Sequence, residues 1–364
     1  MQPVTVRIFH AEPGPSAGPL ERRLADARRA LAERHVDRFR AAGAADVTVV
    51  AGPPDDTPLG ARLRQLVAKE HPRGLVVLGS GAIPLARRRD IRAFVDAAAR
   101  DDPFVLANNR YSADVVAIAR PDALLGLPDL PSDNALPRWL EEVVRHEVTD
   151  LGRRRRLAID LDSPADLLLL PDALREQLTD RSPLAGSVAA RLAAVAAVAT
   201  DRRGELVVAG RTSGRTVRWL ERRVPARVRA LIEERGLRAS TSLAVGGGDG
   251  GRRVRPPRSV LGLVLDHAGP DALGPILAEL GDAAVVDTRV LLAHRLGPVE
   301  RAWPPAEDRF ASDLLLPEAV ADPWLGALTA SALAAPIPIV LGGHTLVGPG
   351  LPLVLRRAVR GGHG

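Results

Sequence analysis

The chain has 364 residues, 46% of them hydrophobic and 26% charged, with no cysteine and a formal charge of +6 at pH 7. Such a composition belongs to a globular protein with room for about two domains of ~150 residues each, and the missing cysteines exclude disulfide scaffolds, thiolate metal sites and cysteine nucleophiles. The basic excess is almost wholly arginine, interleaved with acids, and five phenylalanines and one tyrosine offer no stacking platform for single-stranded nucleic acid.

No apolar run approaches the ~20 residues of a membrane span. The opening residues enter a strand pattern without the basic start and apolar stretch of a secretion signal. The expectation is a cytoplasmic protein that engages neither membrane nor nucleic acid; the sequence sets no oligomeric state.

Val4 to His10 alternates as a strand does, and Glu12 to Pro19 is a turn-rich loop. A helix follows from Leu20 to Ala42, with Leu24, Leu31, His35 and Phe39 near one face, and Gly43 stops it. Val47 to Ala51 reads as a short buried strand, Leu59 to Glu70 as a helix and Gly74 to Gly79 as a third strand. Beyond a helix over Asp90 to Ala99, the segment Phe104 to Ile118 has strand-like ends and a polar middle. A helix through Val144, with Asp133 and Asn134 at its cap, leads to the basic run Arg153 to Arg156. The apolar run from Leu157 then reads as a strand bearing Asp160 and Asp162. Apolar, β-branched strands alternating with helices predict an α/β fold with a doubly wound, mainly parallel sheet. The first module spans residues 1–180.

Residues 181–364 repeat the rhythm as a second α/β module to which the sequence assigns no function. Its predicted elements are a helix at Ala185 to Thr200, a strand at Glu205 to Gly210 and a helix at Val217 to Glu234. A glycine-rich insert around Gly246 to Gly251 precedes a strand at Val260 to Leu265, a helix at Asp271 to Leu280 and a strand at Ala283 to Asp287. The tail Ala335 to Gly350 reads as one more strand and a glycine-rich turn.

Several groups of residues suit chemistry. Carboxylates at the carboxyl end of a buried strand, here Asp160 and Asp162, can hold a hard cation and a phosphate. The plainer reading makes Asp162 or Ser163 the cap of a helix beginning near Pro164. Asn108, Asn109, Arg110, Tyr111, Ser112 and Asp114 form the densest polar group. Its amides and phenol suit a sugar or base edge and Arg110 a phosphate, unless the segment is simply a turn. In the second half Arg211 lies in a loop of small and hydroxyl residues between a strand and a helix, which suits an anion or a capped turn. Asp287 to His294, with Glu307, Asp308, Arg309, Ser312 and Asp313, gathers acids, arginines and a histidine that can converge. His344 sits among glycines that permit close approach of a ligand.

Residues 4–172 resemble the nucleotide-diphospho-sugar transferase fold, and in particular the small guanylyltransferases acting on 2-phospho-lactate or the molybdenum cofactor. The resemblance rests on Pro19 to Ala25, Val76 to Leu85 and Ile159 to Leu167, the last being similar to the family's Asp-x-Asp-Thr-Pro-x-Asp-Leu ending. It implies a Mg²⁺-dependent transfer of a nucleoside monophosphate from a nucleoside triphosphate to a small phosphorylated acceptor. By that resemblance Asp160 and Asp162 hold the Mg²⁺, with Asp114 a further carboxylate at the reacting centre. Ser16, Gly18, Arg22, Arg23 and Ser80 approach the nucleotide, and Asn108, Asn109, Arg110 and Tyr111 recognise the acceptor. Arg211 and His344 are further substrate-binding candidates. The sequence departs from the family in two places. The first loop carries Pro13, Pro15 and Pro19 and no lysine, which removes N–H donors, and Ala82 stands where the family usually has an aspartate. A non-catalytic binding or scaffold protein on the same fold is the alternative.

Overall fold

In the computed structural model, which describes residues 2–130, 135–179, 186–234 and 256–361, the alternating segment at the start becomes strand β1 (Val4–Ala11). Val4, Val6 and Ile8 are fully buried along it. It runs parallel to β2 (Asp46–Gly52) on one side and to β3 (Gly74–Gly79) on the other. Helices α1 (Pro19–Ala41) and α2 (Leu59–Glu70) make the crossovers. After α3 (Arg88–Ala98), strands β4 (Phe104–Ala107) and β5 (Val115–Ala119) pair antiparallel, β5 lying against β3. Helix α4 (Leu136–Glu142) leads to β6 (Glu147–Asp150), parallel to β4, and the strand order is β2-β1-β3-β5-β4-β6.

Period-two alternation divides the core between two faces of this sheet. Val6, Ile8, Val76 and Leu78 pack with Phe39 of α1 and Phe94 of α3. Leu75, Val77, Val116 and Ile118 pack with Leu63 of α2 and with Leu136 and Trp139 of α4. Each such side chain contributes ~1.5–3 kcal/mol on burial. The sheet is therefore doubly wound and mostly parallel, as the order of elements predicts. The predicted buried strand at Val47 to Ala51 is instead the sheet's edge, with Val50 38% exposed.

The apolar run from Leu157 forms no strand. Arg155–Ala158 is a tight helical turn, Asp160 makes one isolated antiparallel bridge to Ala82, and Pro164–Leu169 is a second tight turn. Ser163 and Pro164 are the reason. Ser163 Oγ accepts the Ala165 N–H at 3.3 Å, and Asp166 accepts the Ser163 N–H at 2.8 Å, so this capping box ends extended structure before a ladder can form. The basic run upstream turns inward. Arg154 Nη1 and Arg156 Nε donate to the buried Asp90 carboxylate at 2.7 and 2.8 Å. Burial alone would push that carboxyl up, but the Arg156 and Arg154 bonds and the Arg87 N–H hold it below its ordinary value.

The chain divides into two compact units between Asp160 and Leu161, with residues 17–24 grouped in the second. Residues 161–179, read with the first module from sequence, cluster with the second unit. That unit begins with α5 (Asp172–Leu178) and α6 (Gly186–Thr200). Its parallel sheet contains β7 (Glu205–Gly210), β8 (Arg227–Ile232), β9 (Ala283–Asp287) and β10 (Ile339–Gly342), in the order β10-β9-β7-β8. Among the strands run α7 (Gly214–Arg223), α8 (Val260–Ala268), α9 (Leu273–Leu280), α10 (Thr288–Leu296), α11 (Ala306–Asp313), α12 (Pro323–Ala334) and α13 (Leu351–Gly361).

Three expectations are corrected here. The helix predicted from Val217 to Glu234 stops at Arg223, because Pro225 cannot continue it, and the alternating residues beyond become the edge strand β8. Val260 to Leu265 is helix α8 rather than a strand. Ser259 caps it by accepting the Gly262 N–H at 3.1 Å, and Leu261 and Leu265, four residues apart, face inward. The glycine-rich turn after β10 is a wide helical turn, Leu346–Gly350, that runs into α13. Asp133, Asn134 and the insert at Gly246 to Gly251 lie outside the described residues. No helix among the described residues is long and apolar enough to cross a membrane.

Candidate functional site

Open α/β sheets bind ligands outside the carboxyl ends of parallel strands, where successive crossovers part. In the first unit that point lies between β1 and β3, because the chain leaves β1 for β2 on one side and returns to β3 on the other. His10 near the end of β1 and Ser80 just past β3 are 3% and 5% exposed, with His10 Nδ1 3.0 Å from Ser80 Oγ. Burial, reinforced by the positive charge of Arg29, lowers the His10 pKa, so the ring is neutral at pH 7. Its Nε2 is buried with no partner among the described residues.

The turn after β3 gathers the acids. Ala82 N donates to Gly79 O at 3.1 Å, Gly79 N to Asp114 O at 3.4 Å, and Ala82 carries the bridge to Asp160. Asp114 and Asp160, both half-buried, thereby come to the end of one strand. Asn108 is the clasp of this arrangement. Its Nδ2 donates to Asp114 Oδ2 and Leu157 O, both at 2.8 Å, while its Oδ1 accepts the N–H groups of Asp114 at 2.9 Å and Val115 at 3.2 Å. From α1, His35 Nε2 lies 2.9 Å from Ala82 O, and full burial pushes the His35 pKa down to about 4. A neutral His35 donating from Nε2 holds the turn. Carboxylates are hard oxygen donors of the kind that Mg²⁺ takes, water and substrate phosphate normally filling its remaining positions. Among the described residues no cluster of three acidic or imidazole groups is placed for a metal.

Ser80, Asn108, Asp114 and Asp160 are thus brought together, and the rest of the polar group is not part of that arrangement. Asn109 Oδ1 accepts the Tyr111 N–H at 3.0 Å in a local turn, Tyr111 is 60% exposed, and Arg110 pairs with Glu141. Ser16 is exposed in the loop after β1. Sequence reasoning assigned no site role to His10 or His35. A histidine closing an alternating strand was the signal for the first, and one on the apolar face of a helix for the second.

Gly18, Arg22, Arg23, Asp162, Arg211 and His344 belong to the second unit. There the Glu307 carboxylate accepts the Leu20 N–H at 3.0 Å and the Glu21 N–H at 3.0 Å, so the start of α1 holds an anion supplied by the chain itself. A Cβ on Gly18 would meet Glu307 Cδ at 2.2 Å, which accounts for glycine there. Asp162 N donates to Asp166 Oδ2 at 3.0 Å, and His344 Nδ1 lies 3.8 Å from Asp162 Oδ2. Burial pushes the Asp166 carboxyl well up, and the charges of Asp162 and Asp313 add to the effect. Ser163 Oγ donates to Asp313 Oδ2 at 2.6 Å, and Arg289 clamps the same carboxylate through both terminal nitrogens. Arg211 forks onto Asp287 at 2.7 and 3.0 Å. Burial would raise Asp287, but the Arg211 charge and bond hold it below its ordinary value. The convergence predicted for Asp287 to Asp313 is therefore real for Arg289 and Asp313. His294 instead braces α8, accepting the Ser259 N–H at 3.1 Å and lying 2.9 Å from Asp266.

No protein-family profile matches the chain, and no curated protein matches it. Among solved structures, it is similar to a chain from Desulfovibrio desulfuricans G20 whose name assigns it, provisionally, to the nucleotide-diphospho-sugar transferases. The identity is 16% and the TM-score 0.33, over 42% of this chain and 80% of that one.

Proposed function

We propose that the first unit binds a nucleoside triphosphate at the carboxyl ends of β1 and β3 and transfers its nucleoside monophosphate to a small phosphorylated acceptor. The observation that carries this reading is the bridge between Ala82 and Asp160, which ties a second half-buried acid to the turn after β3, whose Gly79 N–H donates to Asp114 O. Asp114 and Asp160 would hold a Mg²⁺, which when bound neutralises charge on the reacting phosphates. Asn108 fixes the orientation of the Asp114 carboxylate by an Nδ2 bond at 2.8 Å. Neutral His10 and Ser80 offer uncharged hydrogen-bonding groups to the nucleotide without adding negative charge near its phosphates. In the reaction an acceptor phosphate oxygen bonds to the α-phosphorus as the bond to the bridging oxygen breaks, and pyrophosphate leaves. Such chemistry requires positioning and charge neutralisation rather than a protein nucleophile.

A second reading, a non-catalytic binding protein on this fold, is favoured by Glu307. Its carboxylate already occupies the amino end of α1, and a helix start so capped has less to offer a phosphate. Isothermal titration with GTP, ATP, CTP and UTP, with and without Mg²⁺, separates the two. The transferase reading expects Mg²⁺-dependent binding that is lost in Asp160→Asn and Asp114→Asn, and pyrophosphate release with an acceptor. Binding of none of the four nucleotides leaves the second reading.

A further inference from the structure

Helix α8 is apolar on both of its faces. A surface helix normally turns one apolar stripe inward and polar residues outward, and a helix that is hydrophobic all round has both sides covered. Leu261 and Leu265 are buried against the second unit's core, whereas Val260 is 58% exposed, Leu263 46% and Val264 41%. Apolar residues on both sides are the reason the run from Val260 shows no helical period in the sequence. The helix is held firmly from within. Ser259 caps it, Glu233 accepts the Ser259 hydroxyl at 2.6 Å, and the His294 ring packs so closely that a Cβ on Gly262 would lie 2.6 Å from its Cδ2. The exposed residues therefore stand on a fixed support.

They also form one surface. Val260, Leu263, Val264 and His267 follow the spacing of a single helical stripe, and with Ala268 they line one open apolar depression. Hydrophobic residues scattered singly over a surface are ordinary, but a contiguous stripe of large ones marks a contact. The charges beside it indicate what makes that contact. Arg258 is exposed at the start of the helix, and Asp266 near its end is exposed as well. The His294 bond holds the Asp266 carboxyl below its ordinary value and the charge of Arg258 adds to the effect, so Arg258 and Asp266 lie toward the same side of the stripe. Two copies of α8 packed antiparallel about a two-fold axis keep that side in register. Each copy's Arg258 then meets the other's Asp266, while Leu263 packs on Val264 at the centre. A parallel pair would set these charges on opposite sides of the seam, without partners. The surface is complementary to itself, and a second copy of the chain is the occupant that fits it. A nine-residue helix falls short of the ~800 Å² per partner of a standard interface, so the contact is weak.

We propose that the outer face of α8 is the seam of a weak homodimer, in which α8 packs antiparallel on α8 of a second copy about a two-fold axis. Dimerisation through α8 is independent of the nucleotide site proposed for the first unit. The test is sedimentation velocity of the full chain from low to high micromolar concentration, where a monomer–dimer equilibrium is expected. Leu263→Glu places a charge at the centre of the seam on a position that is already exposed. It is expected to keep the parent's thermal midpoint and to weaken self-association about tenfold or more. Arg258→Glu and Asp266→Arg are each expected to weaken it, and an equimolar mixture of the two to recover it, because the exchanged charges oppose one another only in the mixed dimer. Asp266→Arg also gives up the His294 contact. If it fails to fold, Arg258→Glu is read by its salt dependence, which is expected to reverse: added salt weakens the parent dimer and strengthens that of the variant. A parent chain that stays monomeric over the whole range overturns the proposal. So does a dimer that survives Leu263→Glu, a mixture of the charge variants that associates no better than either alone, or a salt dependence unchanged by Arg258→Glu.

Discussion

At the carboxyl end of the first sheet the polar side chains are few. His10 and Ser80 are neutral and buried, and Asp114 and Asp160 are half-buried. At the same end of the second sheet Arg211, Asp287, Arg289 and Asp313 form two ion pairs with side chains no more than 11% exposed. Each sheet has a switch point between parallel strands, and what differs is where charge is neutralised. In the first unit Asp114 and Asp160 are only partly withdrawn from water. In the second the buried carboxylates of Asp287 and Asp313 are each met by an arginine. A switch point in a parallel sheet therefore supplies a position, and burial of the local charges decides whether a carboxylate there serves the fold or a ligand.

The strongest way to break this comparison is to remove one partner of a buried pair. Arg289→Ala leaves Asp313 charged and buried, and its expected cost is ~3–5 kcal/mol in urea unfolding. Arg289→Met combined with Asp313→Leu is expected to recover most of that loss, whereas Asp160→Asn in the first unit should change stability by under ~1 kcal/mol. A small cost for Arg289→Ala would show the pair to be open to solvent and would erase the contrast.

A pH titration sharpens the comparison next. With its pKa at about 4 in the fold and near 6.5 unfolded, His35 binds its proton in the unfolded chain first. The stability it contributes is present above pH 6.5 and is lost as the pH falls towards 4, by at most ~3 kcal/mol. His35→Gln can keep the donor to Ala82 O and should flatten this part of the profile; a slope that survives the substitution would assign it to other groups. A smaller effect than either is expected from Ser163→Ala, which removes a helix cap and a hydrogen bond to Asp313, at ~1–2 kcal/mol by thermal unfolding. A loss as large as that of Arg289→Ala would mean that the hydroxyl and the ion pair fail as one network.

Strands β1, β3, β7 and β9 were legible from the sequence almost to the residue, because each is a short β-branched run bounded by glycine, proline or a charged turn. Helices α1 and α2 were equally plain from their periodicity. Two of the misreadings share one cause. The run from Leu157 and the run from Val260 are apolar without decisive periodicity, and in each a serine cap outweighed local strand preference. Two arginines of the basic run Arg153 to Arg156 serve Asp90, a partner more than sixty residues away that spacing cannot reveal. Ser80, Asn108, Asp114 and Asp160 were named as candidates from the sequence in separate groups, and the turn after β3 links them in the fold. Arg110 and Tyr111 carried the same residue chemistry, but Glu141 engages one and solvent surrounds the other.

The sequence by itself determined the fold class, most of the elements and the exclusion of thiol chemistry, since these follow from composition and from periods of 2 and 3.6 residues. The tertiary structure alone decided which acids are paired with arginine, that Asp160 meets Ala82, and that Glu307 caps α1. Those are matters of long-range proximity and burial. The strength of a charge depends on the groups packed around it in space, which the order of residues along the chain does not record.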